Sequence, residues 1–128
     1  MVERILAMKT VAVVGCSPKP ERAGHYVAAY LKDQGYRIVP VNPGHKELLG
    51  EKCYPDLSSI PFPIDVVDVF RNPDFVLPII EEAIKIKAKA LWLQDGVTHR
   101  EGEARAKEAG LLVVSDDCLL RRHRQRGR

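Results

Sequence analysis

Short apolar runs rich in β-branched residues alternate along the chain with longer segments whose apolar residues recur at helical spacing. The runs predict buried strands at 11–14, 36–41, 64–70, 90–94 and 111–114, with a short edge strand expected near 52–54. Parallel strands joined by right-handed helical crossovers form a sheet that is covered on both faces. The pattern therefore predicts an α/β fold in one domain, 1–128, with a doubly wound parallel sheet of about five strands.

Two predicted helices carry local start signals. The pair Asn72 and Pro73 predicts a helix that runs to about Lys87, because Asn suits the N-cap and Pro suits the first helical position. Pro78 inside this segment predicts a kink or a late helix start. The C-terminal helix is predicted to begin near Cys118, with the two aspartates before it as caps.

The segment 10–43 carries most of the functional information. Its first strand ends at Gly15 and is followed by a loop of small residues and prolines, an amphipathic helix and a second strand. Such a Rossmann-like unit directs unpaired backbone N–H groups and the positive end of a helix dipole at an anion. Ligands of open parallel sheets bind beyond the carboxyl ends of the strands, where the strand order reverses. A ligand that carries a nucleotide or a phosphate is expected here.

The same segment argues against NAD at two positions. In the dinucleotide fingerprint G-x-G-x-x-G, Ser17 stands at the second glycine and the next glycine is Gly24. No acid follows the second strand to hold ribose hydroxyls, where the chain reads VNP at 41–43. Without this acid, a ribose that carries a phosphate meets no repelling carboxylate. Coenzyme A and NADP both carry such a phosphate, so both remain possible ligands. Four basic residues lie in the two loops that would face these phosphates: Lys19, Arg22, His45 and Lys46.

Six segments carry a family resemblance: VAVVGCSPKPER at 11–22, YRIVPVNP at 36–43, LGEKCYPDLSSIP at 49–61, DVVDVFRNP at 65–73, KALWLQDGV at 89–97 and DDCLLRRH at 116–123. In this order they resemble the small stand-alone CoA-binding proteins related to the N-terminal, CoA-binding domain of the succinyl-CoA synthetase alpha subunit. The resemblance covers nearly the whole chain. One departure is Arg122 before His123, where the family usually places Glu.

The resemblance implies a binding site for coenzyme A or an acyl-CoA after the first strand. The diphosphate would be cradled by Gly15, Cys16, Ser17, Lys19 and Arg22. The adenosine pocket would be lined by Val41, Asn42 and Pro43, and Lys46 would reach the ribose phosphate. The pantetheine arm would contact Phe70 and Arg71, and the thiol end would lie toward Gln94, Gly96 and Val97.

The sequence predicts binding without catalysis and without a metal. Asp65 and Asp68 point to opposite sides of a strand and cannot act as an acid–base pair, so Asp68 is expected to meet Arg71 or to cap a loop. The four histidines lack metal-ligand spacing, and His99 is expected in a solvated loop. Three alternatives remain open: an NADP-dependent oxidoreductase, a thiol-redox protein acting through Cys16, and a CoA-responsive regulator that touches nucleic acid.

The cysteines and the overall composition refine these alternatives. Cys16 lies at a helix N-terminus, where a thiolate can be stabilised, but a packing role is favoured for it. Cys53 and Cys118 are expected to be buried. Three cysteines far apart do not form a secreted disulfide framework, so a reducing cytoplasm is expected. No apolar run approaches the roughly 18 residues of a membrane span, so no membrane contact is expected.

The basic character of the chain is concentrated at its end. The formal net charge is +3, yet the last eight residues hold five arginines, and the remaining body is near −2. We therefore expect a basic C-terminal tail over 121–128. A solvated helix end is favoured over a nucleic-acid contact, because no aromatic residues interleave these arginines. The partner expected from the sequence is a small-molecule CoA ligand, and the oligomeric state stays open.

Overall fold

The computed structural model describes residues 1–126, which form five α-helices and seven strands. In chain order these are α1 (Val2–Leu6), β1 (Thr10–Val14), α2 (Ala23–Asp33), β2 (Arg37–Val41), β3 (Glu47–Leu48), β4 (Glu51–Lys52), β5 (Val66–Val69), α3 (Val76–Lys85), β6 (Ala90–Leu93), α4 (Arg100–Glu108), β7 (Leu112–Val114) and α5 (Leu119–Gln125). No helix within these residues is long and apolar enough to cross a membrane.

Five strands form one parallel sheet in the order β2-β1-β5-β6-β7. β2 lies on one side of β1, and every later strand of the sheet lies on the other side. The strand order therefore reverses between β1 and β5, and loops leaving their carboxyl ends diverge to opposite faces of the sheet. A crevice opens at such a reversal, and it is where ligands bind in this class of fold.

Both faces of the sheet are covered, which confirms the predicted doubly wound architecture. Alternate residues of β1 enter different cores, with Val11 and Val13 on one face and Ala12 and Val14 on the other. The first core is completed by apolar residues of α1, α2 and α5, and the second by those of α3 and α4. Burial on both faces explains the near-continuous apolar sequence of the strands. Trp92 on β6 is fully buried in the first core.

The helix predicted from Asn72 has a late start, one of the two outcomes that Pro78 predicted. The Asn72 side chain accepts a hydrogen bond from the N–H of Asp74 (2.9 Å) and caps a short 3₁₀ turn at Pro73–Phe75. α3 then begins at Val76, so Pro78 lies in its first turn. A proline there removes no helical hydrogen bond, because the first N–H groups of a helix have no acceptor within it.

Two small elements differ from the sequence prediction. α1 was not expected, and it forms because Ile5 and Leu6 pack into the first core. The edge strand expected near 52–54 is instead β4, which pairs antiparallel with β3 in a separate two-stranded ribbon. Tyr54 alone forms a parallel bridge to Val41 at the end of β2. Each strand of this ribbon has only two residues, which is too short for strand periodicity to show in the sequence.

The predicted C-terminal tail is in large part a packed helix. α5 lies against α2, and Nδ1 of its His123 is 2.7 Å from the hydroxyl of Tyr30. Arg121 forms ion pairs with Asp95 and Asp117 (2.9 Å each), and Arg122 pairs with Asp117 (2.7 Å). Residues 121–125 belong to α5, in line with the favoured interpretation of a helix end, while residues 127 and 128 lie outside the described part of the chain.

Candidate functional site

A cavity of about 580 Å³ opens at the carboxyl ends of β1, β5 and β6, beside the reversal of strand order. Nine of the fourteen residues predicted for the site line it: Gly15, Ser17, Lys19, Arg22, Phe70, Arg71, Gln94, Gly96 and Val97. They come from three loops that are more than twenty residues apart in sequence. The sheet order brings them together, because β1, β5 and β6 are adjacent and parallel.

A second, smaller cavity lies on the β2 side of the same edge. It measures about 320 Å³, and its walls include Val41 and Pro43, two residues predicted for an adenosine pocket. Gly15 and Arg71 line both cavities. The two cavities therefore adjoin at the end of β1, with these two residues between them.

Two glycines allow close backbone packing at the β1–α2 loop, residues 15–22. Gly15 has a φ of +89°, which favours glycine, and a Cβ there would lie 3.0 Å from the carbonyl oxygen of Phe70. A Cβ on Gly24 in the first turn of α2 would overlap the carbonyl oxygen of Gly15. The helix can therefore approach the end of β1 closely, and its N-terminus borders the larger cavity.

Positive charge surrounds the N-terminus of α2. No side chain caps this helix, and its N-cap residue is Arg22. Lys19 and Arg22 are exposed, and neither forms an ion pair within residues 1–126. The unpaired N–H groups, the helix dipole and these two cations all favour an anion in the larger cavity.

Hydrogen bonds fix the shape of this loop. The Ser17 hydroxyl accepts from the N–H of Lys19 (3.1 Å), and the Ser17 carbonyl oxygen is 2.8 Å from Nδ1 of His25. From β2, the side-chain amide of Asn42 donates to the carbonyl oxygen of Cys16 (2.9 Å). Its oxygen accepts from the N–H of Gly44 (2.9 Å). Asn42 therefore joins the loops after β1 and β2, whereas the exposed Lys46 lies outside both cavities.

The three cysteines differ in environment. Cys16 is fully buried, and burial together with the nearby Cys53 raises its pKa to about 11. These properties favour the packing interpretation of Cys16 over a reactive thiolate. Cys53 is buried as predicted, and burial also raises its pKa. Cys118 was expected to be buried, but it is half-buried and lines the larger cavity, because the chain turns there to start α5.

The far wall of the larger cavity is lined by residues 94–97 and by Cys118. These residues, together with the segment 116–121 whose groups bond to them, are here called the β6–α5 wall. Oε1 of the buried Gln94 accepts from the N–H of Leu119 (3.2 Å). The N–H of Gly96 donates to Oδ1 of Asp116 (2.7 Å). Two hydrogen bonds from Arg121, 2.9 and 3.0 Å long, lower the pKa of Asp95. Polar groups of this wall are thus already bonded to one another.

The start of α5 is capped differently from the sequence expectation. Asp116 and Asp117 do not cap α5, whose N-cap is Cys118 without a side-chain bond. Asp116 instead bonds to Gly96, and Asp117 accepts from the N–H of Cys118 (2.8 Å). His99 lies in a loop as expected, but it is half-buried and is the N-cap of α4, where its Nδ1 accepts from the N–H of Gly102 (2.9 Å). Only the bond of Asp116 to Gly96 joins distant segments, and the other two bonds are local.

Asp68 is the one polar side chain in the described chain whose buried oxygens have no hydrogen-bond partner. It lies in the middle of β5 between Val13 and Trp92 on the neighbouring strands, and burial raises its pKa well above the ordinary value. The expected contact with Arg71 is absent, because Arg71 leaves the strand end toward the cavities. Burial therefore favours the protonated form of Asp68, which lies in the core and lines neither cavity.

Sequence reasoning missed two exposed aromatic residues beside the cavities. Tyr26 lines the larger cavity from the first turn of α2, and Phe75 lines the smaller one from the 3₁₀ turn before α3. Their side chains are 49% and 57% exposed, which is unusual for large apolar groups. Tyr26 lies four residues after Arg22, which is about one helical turn, so this spacing could have placed Tyr26 beside the predicted site.

The fold and the site define an α/β domain with a crevice at the strand-order reversal, where the helix N-terminus and basic side chains favour an anion. No group of three or more His, Cys, Asp or Glu side chains within 1–126 is arranged to hold a metal ion. The family model described as "CoA binding domain" matches residues 9–124. The chain belongs to this family of CoA-binding domains, and the resemblance found in the sequence is confirmed.

Relatives of two kinds match the chain. An uncharacterized protein of Bacillus subtilis, YneT, is 39% identical over 115 residues, which are 90% of this chain and 85% of that protein. A solved hypothetical protein from Pyrococcus horikoshii OT3 has a TM-score of 0.94 and 44% identity, covering 97% of this chain and 88% of that one. The ADP-forming acetate–CoA ligase I of Archaeoglobus fulgidus is 29% identical over 92% of this chain, which spans only 19% of the ligase.

Proposed function

We propose that the protein binds coenzyme A or an acyl-CoA in the two adjoining cavities, without a covalent step of its own. One observation carries this proposal: the larger cavity borders an uncapped helix N-terminus flanked by unpaired Lys19 and Arg22. Membership of the CoA-binding domain family supports the identity of the anion. The cytoplasmic location expected from the cysteines is retained as part of the proposal.

The proposed ligand runs along the carboxyl edge of the sheet from β2 to β6. Its adenosine end occupies the smaller cavity, whose walls of Val41, Pro43 and other apolar groups suit a base. Its diphosphate lies on the β1–α2 loop, where backbone N–H groups meet the positive end of α2. Its pantetheine arm crosses the larger cavity toward Gln94 and Val97.

Lys46 keeps its proposed role as the contact of the 3′-phosphate on the ribose. It follows Pro43 by three residues, and Pro43 lines the smaller cavity. A ribose phosphate is the part of the ligand that would project from that cavity into solvent. A long, exposed lysine can reach such a group as a mobile point charge.

The polar groups around the proposed arm favour binding over catalysis. Asp95 is the carboxylate in the larger cavity, and its pairing with Arg121 lowers its pKa and keeps it ionised. Gln94 has its side-chain oxygen engaged by Leu119. An ion-paired carboxylate is a weak proton acceptor, so these groups serve as a wall rather than as an acid–base pair.

Calorimetry with CoA, NADP and NAD on the purified protein tests this proposal, alongside mass spectrometry of any ligand that the protein retains. We expect CoA to bind more tightly than either dinucleotide, because the second glycine and the ribose-binding acid of a dinucleotide site are missing. Equal or stronger binding of NADP would overturn the proposal in favour of the oxidoreductase alternative.

A further inference from the structure

Arg71 lies at the junction of the two cavities. It lies two residues after the end of β5 and lines both cavities, and Gly15 is the other residue that does so. Its aliphatic stem lies against the end of β1, since a Cβ built on Gly15 would be 3.2 Å from its Cδ. A ligand that extends from one cavity into the other therefore passes beside Gly15 and Arg71, the two residues that line both.

The charge of Arg71 is not neutralised by a carboxylate. No ion pair among residues 1–126 includes Arg71, whereas Arg121 across the larger cavity has two acidic partners. The guanidinium carbon of Arg71 lies 5.3 Å from the ring centre of the exposed Phe75. A cation–π contact of this kind orients the guanidinium while its N–H groups stay available to a ligand.

We propose that Arg71 binds the diphosphate at the junction of the two cavities and that Phe75 positions it there. The inference rests on the proposed CoA binding and revises the assignment of Arg71 to the pantetheine arm. A pantetheine arm is uncharged and offers an arginine no counter-ion. A diphosphate offers oxygens that match the planar fork of a guanidinium, and such bidentate pairs are among the strongest polar contacts in proteins.

Three probes separate the two assignments of Arg71: CoA, ADP as a diphosphate without the arm, and pantetheine as the arm without phosphates. We expect Arg71→Gln to weaken CoA and ADP by a similar factor of roughly 10 to 100, typical of a hydrogen bond to a charged group. Pantetheine binding should not change. Arg71→Lys should recover part of the loss, because a lysine keeps the charge but lacks the fork.

Phe75→Leu tests the positioning role. It keeps an apolar side chain but removes the ring face, so it should weaken CoA and ADP less than Arg71→Gln does. In the double variant Arg71→Gln/Phe75→Leu, the leucine should add little further loss, because its effect acts through the arginine. Arg100→Gln, an exposed arginine at the start of α4 and outside both cavities, is the matched charge control.

Salt dependence of CoA affinity gives a second readout on the same variants. Affinity of the unaltered protein should fall with added salt, and Arg71→Gln should flatten this dependence, since a cation–diphosphate contact is screened by salt. The inference is overturned if Arg71→Gln leaves the salt dependence of CoA affinity unchanged, or if it weakens pantetheine binding without affecting ADP binding. Arg71 would then be assigned to the pantetheine arm again. If the unaltered protein binds no CoA, the proposed function itself fails, irrespective of Arg71.

Discussion

The two ends of the larger cavity differ in how their polar groups are paired. On the β1–α2 loop, Lys19 and Arg22 are exposed and have no acidic partner among residues 1–126, and the N-terminus of α2 has no side-chain cap. On the β6–α5 wall, Asp95 and the Gln94 side-chain oxygen already have partners, and so has the N–H of Gly96.

This contrast teaches which groups are available to a ligand. Polar groups that are satisfied within the protein gain little by binding, because a ligand must first displace their partners. Unpaired cations beside free N–H groups gain a partner outright when an anion arrives. The β1–α2 loop is therefore expected to supply affinity, and the β6–α5 wall to supply shape.

The largest expected effect comes from closing the gap between α2 and β1. Gly24→Ala places a methyl group against the carbonyl oxygen of Gly15, so the helix start must move away. We expect the free energy of unfolding to fall by about 1–3 kcal/mol and CoA binding to weaken strongly. Chemical denaturation and calorimetry measure the two effects.

Gly44→Ala is the matched control for the Gly24 variant. A Cβ at Gly44 would make an ordinary contact, 3.4 Å from the Asn42 side-chain oxygen, in an exposed turn. It should leave both stability and CoA affinity nearly unchanged. Equal effects of the two substitutions would show that the close approach of α2 to β1 is not what forms the site.

An intermediate effect is expected from single charges. Arg22→Ala should weaken CoA by roughly 1–3 kcal/mol, because it removes a cation beside the helix N-terminus. Arg121→Ala removes a cation from the opposite wall, where the charge is already balanced by Asp95 and Asp117, and should change affinity far less. Calorimetry on both variants compares the two ends of the larger cavity directly. Equal losses of CoA affinity would contradict the view that the β1–α2 loop supplies affinity and the β6–α5 wall supplies shape.

Lys46→Ala extends this test to the ribose phosphate. We expect a similar loss of roughly 1–3 kcal/mol for CoA and a smaller loss for dephospho-CoA, which lacks the 3′-phosphate. The same pair of ligands should show no such difference for Arg22→Ala. If Lys46→Ala weakens neither ligand, another residue must hold the ribose phosphate.

The smallest expected effect is a difference in thiol reactivity, which tests whether Cys118 in the β6–α5 wall is accessible from the larger cavity. Because burial raises the pKa of Cys16 to about 11, only about one thiol in a thousand is ionised at pH 8. Cys118 is half-buried in the cavity wall and should react faster with a thiol probe. Bound CoA should slow Cys118 by covering it.

Mass spectrometry of labelled peptides measures these rates with and without CoA. Cys16 and Cys53 are the internal controls, since both are buried and both have a raised pKa. Their labelling should stay slow in either state and increase with pH as the thiolate fraction grows. Fast labelling of Cys16 in the free protein would restore the thiol-redox alternative.

Much of the fold could be predicted from sequence, because strands buried on both faces are continuous apolar runs and the helices between them have one apolar stripe. The five strands of the sheet were predicted in this way. The late start of α3 was predicted from the position of Pro78. The ribbon of β3 and β4 escaped prediction because two-residue strands carry no periodicity. α1 escaped because five residues are too few for a helical pattern.

The sequence by itself determined the class of fold and the loop at Gly15, since these depend on local spacing of glycines and apolar residues, and its motifs determined the family of the domain. Only the tertiary structure decided which side chains are available. It buried Cys16, left Cys118 half-buried in the cavity wall, bonded Gln94 to Leu119 and left the buried oxygens of Asp68 without a partner among the described residues. Those outcomes depend on contacts between segments far apart in the chain, and no local pattern encodes which partner a side chain will meet.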